Sequence, residues 1–466
     1  MQHLNALRHP LVERILSHYP DEIFQLIRGI GSPLHLVFPK IFVENIQRFK
    51  KVLSDAEVDS TVLFAKKSNK ADCFIQTCRE QEIGVDVASI GELSKTLSLG
   101  IRGDSIGVSG PEKDLALLQL AVQHECLIAI DSLSELNKLL YLTEHSHKKC
   151  RILCRVVIPE YEKTRFGLSP AELEQLFKIC LSHSTRIELF GFSFHLSGYD
   201  IGARARAANF LIEYCLKARQ LGLTSCHCVD IGGGFPVQYV EQQAWDDFQR
   251  YDIAKHYHAE KHFKDFYPYA SPCTGADSLK AILEFDVESG ISLKQKLKHH
   301  HLHLIIEPGR ALLDQAGLSA FRIQGIKNKK LEKEQYAILT VEGSSFSLSE
   351  QWFNTEFLPD PVLLTRKPLT QKEFIACIAG ASCLEVDMLS WRKIRFQQIA
   401  SLGDLCIYLN TAGYQMDSNE SSFHESKIPL KVVVELNNEK FDWHIDDQTR
   451  HVQDMNFINK IESVIK

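Results

Sequence analysis

The chain has 466 residues and a formal net charge of −6, with 44% hydrophobic and 24% charged residues. That length exceeds what one ordinary core organises, and the acidic balance excludes the broad basic face that nucleic acid requires. No apolar run reaches the ~20 residues of a bilayer-spanning helix, and the first residues mix His, Arg and Glu unlike a secretory leader.

Residues 33–38 are the first strand candidate, expected to join a later sheet. The next apolar run, Val62-Leu63-Phe64-Ala65, reads as a buried strand that ends by presenting Lys67. Desolvation at such a strand end is expected to depress the amine pKa and make it nucleophilic toward a carbonyl. Two adjacent lysines alone would read as loop charge. The later Gly232-Gly233-Gly234-Phe235-Pro236 and Glu307-Pro308-Gly309-Arg310 argue instead for a Schiff-base site accepting a phosphate-bearing aldehyde.

Strands are expected at 61–65, 84–87, 105–108, 127–130, 152–157, 189–194, 228–231 and 302–306. Helical patterns fall between them at 72–81, 90–99, 112–123, 132–143, 170–182 and 203–221. This alternation predicts a (β/α)8 barrel of TIM type over residues 40–315. Lys67, Asp86, His195, Gly233 and Glu307 would then share the C-terminal mouth, where barrel enzymes carry their chemistry.

The stretch 242–301 is long for one barrel connection, which suggests a functional or interface-forming insertion. Beyond residue 316 the pattern turns to strands and loops, with strands expected at 335–341, 376–378, 404–409 and 430–435. This predicts a C-terminal β-domain over 316–466, to which a strand from 1–39 is added. Thirteen cysteines without a Cys-x-x-Cys pair indicate a reducing, cytoplasmic compartment. The cluster His299-His300-His301 with His303 reads as a loop entering a strand, so no metal is expected.

In this order the motifs are Phe64-Ala65-Lys66-Lys67-Ser68-Asn69, Asp86-Val87-Ala88-Ser89, Arg165-Phe166-Gly167 and Phe194-His195. They continue with Asp230-Ile231-Gly232-Gly233-Gly234-Phe235-Pro236, Glu307-Pro308-Gly309-Arg310, Gly380-Ala381-Ser382-Cys383 and Ala412-Gly413-Tyr414. The ordered set, from Phe64 to Tyr414, resembles the fold-type III decarboxylases that use pyridoxal 5'-phosphate (PLP), the group acting on ornithine, diaminopimelate and arginine.

The resemblance implies an alanine-racemase-like two-domain architecture and a homodimer with shared active sites. It makes Lys67 the residue linked to the cofactor and places Asp86 beside the cofactor. Glu307 would pair with the ring nitrogen, and His195 would stack on the ring. Gly233, Gly234, Gly309, Arg310 and Tyr414 would hold the phosphate. Ser197 would do so too, although the order Leu196-Ser197-Gly198 departs from the usual glycine-then-serine. Cys383 would reach the partner's site as the proton donor.

Leu384 stands where related enzymes carry an acid for the distal substrate amine. Glu385 and Asp387 are then the candidate substrate contacts. Leu384, the insertion and the segment 352–361 look closer to divergent members of carboxylate-type siderophore pathways, whose substrates are amino-acid conjugates. The alternatives are diaminopimelate decarboxylase in lysine biosynthesis and, from another class, a non-catalytic PLP carrier.

Overall fold

The computed structural model describes residues 3–144, 149–331, 334–350, 353–368, 372–418 and 422–446. Trp352 and the last stretch of the expected β-domain, 447–466, lie outside the described residues.

Eight parallel strands close into a barrel. They are β2 (Ser60–Ala65), β3 (Gly84–Val87), β4 (Ile106–Val108), β5 (Leu127–Ile130), β6 (Cys150–Arg155), β7 (Ile187–Ser193), β8 (Cys228–Asp230) and β11 (His303–Ile306). Their shortness and nearly continuous burial follow from being covered on both faces, inside by one another and outside by helices. Leu63, Leu127, Leu153, Cys228 and Ile305 form an apolar cluster separate from the main core, contributed by five of the barrel strands. Such clusters make a TIM-type barrel a packed core rather than a pore. The helices start where local chemistry starts them: Ser89 accepts from Glu92 N, and Ser169 with Glu172 forms a reciprocal capping box.

The expected barrel strands are present, with ends shifted by a residue or two. The fifth, expected at 152–157, begins at Cys150 because Cys150 and Arg151 pair with Ile187 and Glu188. It stops at Arg155, after which Val156 forms an isolated bridge with Leu168 while its N–H still donates to Ser193 O at 2.9 Å.

The second unit is a mixed sheet. β1 (Leu34–Val37) runs antiparallel to β12 (Gly317–Leu331) and parallel to β18 (Leu430–Asn437). The early strand candidate therefore joins the late sheet as expected. β13 (Glu334–Val341), β15 (Phe374–Ala379) and β16 (Met388–Phe396) extend one side, and β19 (Lys440–Ile445) ends the other. β17 (Leu405–Leu409) pairs with β12 and with β14 (Val362–Leu364).

Two antiparallel ribbon strands, β9 (Asp286–Glu288) and β10 (Ile291–Ser292), lie inside the long connection. Its helices Gly275–Glu284 and Leu293–His299 complete the coat of the barrel. The preceding part of the connection reaches the sheet. Tyr257 bridges to Arg392, His258 Nδ1 lies 2.8 Å from Tyr336 Oη, and Lys393 Nζ donates to Lys255 O at 2.9 Å. Tyr269, fully buried, faces Glu350 at 3.4 Å. The insertion thus braces barrel against sheet. None of its residues lines the lysine cavity described below, so within one chain it does not enlarge that pocket.

Candidate active site

β2 ends at Ala65 and the chain turns once as a 3₁₀ segment, Lys66–Ser68. The turn sends neighbouring lysines apart. Lys66 is 2% exposed, whereas Lys67 lines an open cavity of about 190 Å³ at the C-terminal mouth of the barrel. A larger cavity of about 650 Å³ lies around Asp59, Gly84 and Arg102, at the start of the strands and away from this chemistry.

Around Lys67 stand Arg155, His195, Asp230 and Glu307, each from the end of a different strand. Asp86, in β3, is 2% exposed, and its Oδ1 has no hydrogen-bond partner. Burial, reinforced by the nearby Glu307 charge, pushes the Asp86 carboxyl well above its usual range. Burial likewise raises Asp230 to about 7 and Glu307 to about 8. Their side chains hydrogen-bond to each other, while Asp230 Oδ1 also accepts from Gly232 N at 2.8 Å. Two carboxyls so placed share a proton.

The expected depression of the Lys67 amine is reversed. Burial does pull its pKa down, but Asp86, Tyr414 and Glu307 outweigh it and the amine is held above its ordinary value. Desolvation wins instead at Lys66. His195 shows the opposite balance to the acids. Burial and the cations Lys67, Arg155 and Arg204 push it down to about 3, so its imidazole is neutral.

Each glycine of the turn after β8 answers to a different neighbour. A Cβ on Gly232 (φ +64°) would lie 2.8 Å from Phe194 O, and one on Gly233 would lie 2.6 Å from Glu307 O. On Gly234 (φ +80°) it would lie 2.1 Å from Arg204 Nη2. Gly309 packs against Ser68 in the same way, with a Cβ 3.1 Å from the serine Cβ.

The sheet closes on this mouth. Tyr414 N donates to Ser68 O at 2.8 Å, and Asn69 Nδ2 donates to Ala412 O at 2.8 Å. Tyr414 holds a positive φ of 75°, a strained conformation for a non-glycine residue. Arg310 stacks over Tyr267 at 4.1 Å and Tyr414 at 4.9 Å. Its Nη1 donates to Gly413 O (3.1 Å), Gln415 Oε1 (3.3 Å) and Glu350 Oε1 (3.5 Å). The Arg310 charge is therefore already matched by the buried Glu350 carboxylate.

Lys67, Asp86, His195, Gly233, Gly234, Glu307, Gly309, Arg310 and Tyr414 are thus brought together. Ser197 is exposed on the loop beyond His195. Cys383 and Glu385 sit exposed on the sheet unit, with Cys383 Sγ 3.3 Å from His424 Nε2. Asp387 corrects its expected role. It is 4% exposed, with Oδ1 accepting from Ser345 N at 2.7 Å and Oδ2 from Ser382 N at 3.1 Å. Both oxygens hold the loop that carries Cys383, so it is a support of that loop rather than a substrate contact.

Sequence reasoning missed Asp230, Arg155 and Glu350 as parts of the site. Arg155 lies 3.8 Å from Asp131 and 4.1 Å above the Phe166 ring. Its place at the end of an expected strand was the available signal, as was that of Asp230.

A lysine ringed by buried acids at the mouth of such a barrel, closed by a mixed sheet, defines a fold-type III pyridoxal enzyme. Residues 40–268 match the family model described as the pyridoxal-binding domain of pyridoxal-dependent decarboxylases. The chain is 35% identical to the uncharacterised protein y4yA of Sinorhizobium fredii, over 90% of this chain and 91% of the other. It is 23% identical to diaminopimelate decarboxylase of Bacillus methanolicus, over 90% of each chain. Among solved structures, diaminopimelate decarboxylase from Helicobacter pylori superposes with a TM-score of 0.69 at 16% identity, covering 94% of this chain and 99% of that one. Lysine/ornithine decarboxylase from Vibrio vulnificus gives 0.67 at 19%, covering 91% and 99%.

The chain belongs to the fold-type III PLP-dependent decarboxylases, and is an enzyme of that kind rather than a non-catalytic carrier. Its residues fit PLP: an amine for the aldehyde, a proton-sharing acid pair for the ring nitrogen, and a buried Asp86 oxygen still without a donor.

Proposed function

We propose that this enzyme removes the α-carboxylate of a carboxylate-bearing amino-acid conjugate, such as a citryl-diamino acid of siderophore or similar specialised biosynthesis. Lys67 would hold the cofactor aldehyde, Glu307 backed by Asp230 the ring nitrogen, and His195 the ring face. The glycine turn with Gly309, Arg310 and Tyr414 would hold the phosphate end. Bound there, PLP supplies an electron sink for the pair left when the Cα–carboxylate bond breaks. The neutral His195 would pack against that ring without adding charge, and the Asp230–Glu307 pair would keep a proton at the nitrogen end. When not linked to the aldehyde, the Lys67 amine would be held charged chiefly by Asp86. Cys383, from a second copy, would return a proton to Cα. The enzyme would work as a homodimer in the cytoplasm. Among the described residues no helix is long and apolar enough to cross a membrane, and all thirteen cysteines are unpaired.

The observation that carries the substrate reading is Leu384. It is 39% exposed beside Cys383 and cannot balance a distal ammonium, while Asp387 is already spent on its own loop. Burying an uncompensated charge costs several kcal/mol in effective terms. Steady-state assays should give kcat/KM for free ornithine, lysine and diaminopimelate at least ~100-fold below that for a citryl conjugate, or about 2.7 kcal/mol. Leu384→Glu should recover part of the activity on the free diamino acids. The second reading, diaminopimelate decarboxylase, is favoured by the names of several relatives. Efficient turnover of free diaminopimelate would establish it and overturn the first.

A further inference from the structure

Cys383 is the exposed one of the thirteen cysteines, and its Sγ lies 3.3 Å from Nε2 of His424, a residue 41 positions further along the chain. Both partners are held from one segment, residues 343–346. Asp387 ties the cysteine loop to it, with Oδ1 accepting from Ser345 N at 2.7 Å and Oδ2 from Ser382 N at 3.1 Å. Ala381 N donates to Gly343 O at 2.8 Å on the same side. Phe346 packs edge-on against Phe423 with ring centroids 5.6 Å apart. Phe423 in turn stacks on the His424 ring at 4.3 Å, with 28° between the planes. One short segment thus sets thiol and imidazole against each other.

The backbone under the imidazole is a second, independent observation. His424 and Glu425 hold φ of 56° and 57° in succession, the left-handed region that a side chain enters at a cost. An aromatic clamp and two left-handed residues are more than a solvated surface loop requires, and together they aim Nε2 at the thiol.

In the reading proposed above, on which this inference rests, Cys383 gives its proton to Cα. The S–H bond breaks, a C–H bond forms and a thiolate is left. That thiolate needs a proton before the next turnover, and a second copy seated over Cys383 would shield it from bulk water. Imidazole is the side chain whose ordinary pKa lets it both give and take a proton near neutral pH. We infer that His424 is the proton relay of Cys383: Nε2–H passes its proton to Sγ, and the exposed ring takes a replacement from solvent. His424 acts through the thiol, so it is a positioning residue. The other charged groups near the pair are Glu385 and Asp387 on the cysteine loop, Glu425 and Lys427 beside the histidine, and Lys261 and Glu356 along an adjoining cavity. Asp387 is bonded within its loop and Glu356 Oε1 accepts from Arg392 N at 3.3 Å, so neither serves the thiol.

Two arms test the relay, and the first needs no substrate. Iodoacetamide alkylation of Cys383 in the PLP-loaded enzyme, located by peptide mass mapping, is timed against pH in wild type and His424→Gln. Glutamine keeps an amide nitrogen for the thiol but does not titrate. Wild type should show a step in rate between about pH 5 and 8, and the variant should lose that step. Should glutamine disturb the turn, His424→Asn, better suited to left-handed backbone, replaces it. The second arm reads carbon dioxide release from a citryl-diamino acid, or from diaminopimelate where wild type turns that over. His424→Gln should lose ~100-fold in kcat with KM within ~3-fold, as expected when a proton-transfer group is removed. His424→Ala should regain activity with added imidazole, a rescue that a merely structural role would not give. Wild-type kcat in the glutamine variant, or an alkylation profile that it leaves unaltered, overturns the relay. Should neither compound be turned over, the alkylation profile decides alone. Full activity of Cys383→Ala would instead overturn the proton-donor reading beneath it.

Discussion

Lys66 and Lys67 are joined by one peptide bond yet meet opposite fields. Lys66 is withdrawn from water and its amine pKa falls, while Lys67 opens into a cavity whose acids hold it charged. Borohydride reduction of the PLP-loaded enzyme followed by peptide mapping should therefore mark Lys67. Lys67→Ala should lose the visible band and more than ~10³-fold in kcat, as expected when a covalent catalytic group is removed. A label on Lys66 would refute the assignment.

The acid pair makes a second prediction, on pH. Asp230 and Glu307 sit at about 7 and about 8 when folded, above their unfolded values near 4. The folded state therefore binds more protons between those limits. The stabilisation is fully present below the unfolded values and is lost as pH rises through 7 and 8. Apo-enzyme should lose on the order of a few kcal/mol between pH 5 and 9 from these and similar buried acids. Glu307→Gln should flatten part of that slope in Tm-against-pH curves, and an unchanged slope would show that the pair is not proton-sharing.

The barrel strands were legible because each is buried on both faces and so reads as an apolar run. β12 was not, because its second half carries Lys327, Asn328, Lys329 and Lys330 and pairs only with β13 beyond the core. The motif residues at strand ends were legible for the same geometric reason, since a barrel gathers strand ends at one mouth. Contacts made by side chains far apart in sequence, such as Arg310 with Glu350 or Arg204 with Gly234, left no pattern to read. Asp387 belongs to this second kind. It stitches Ser345 and Ser382 into one loop, and Gly380 lies so close that a Cβ there would meet its Oδ2 at 2.2 Å. Asp387→Ala removes two charge-assisted bonds and leaves two backbone donors unpaired, so it should cost about 2–4 kcal/mol. Urea unfolding should show the midpoint shift, and Cys383, released from its loop geometry, should change its alkylation rate. An unaltered midpoint would return Asp387 to the list of substrate contacts.

Within one chain the lysine mouth and Cys383 belong to different units. The cavity lies at the strand ends of the barrel, whereas Cys383 is exposed on the sheet near Leu384 and the 64% exposed Val386. Exposed apolar residues beside the thiol proposed to donate a proton suit a face that another copy covers. A two-fold assembly makes the consequence exact in count: whatever one chain's sheet gives to its partner's barrel, the partner's sheet gives back. Mixing Lys67→Ala with Cys383→Ala subunits then yields heterodimers in which one site carries both lesions and the other carries neither. Random reassortment of equal amounts makes half the dimers mixed, each with one working site of two, so activity should rise from near zero to about a quarter of wild type. Subunit exchange is verified independently by differently tagged chains. If exchange is complete and the mixture stays inactive, Cys383 does not serve the partner's site, and the proton must come from a group within the same barrel mouth.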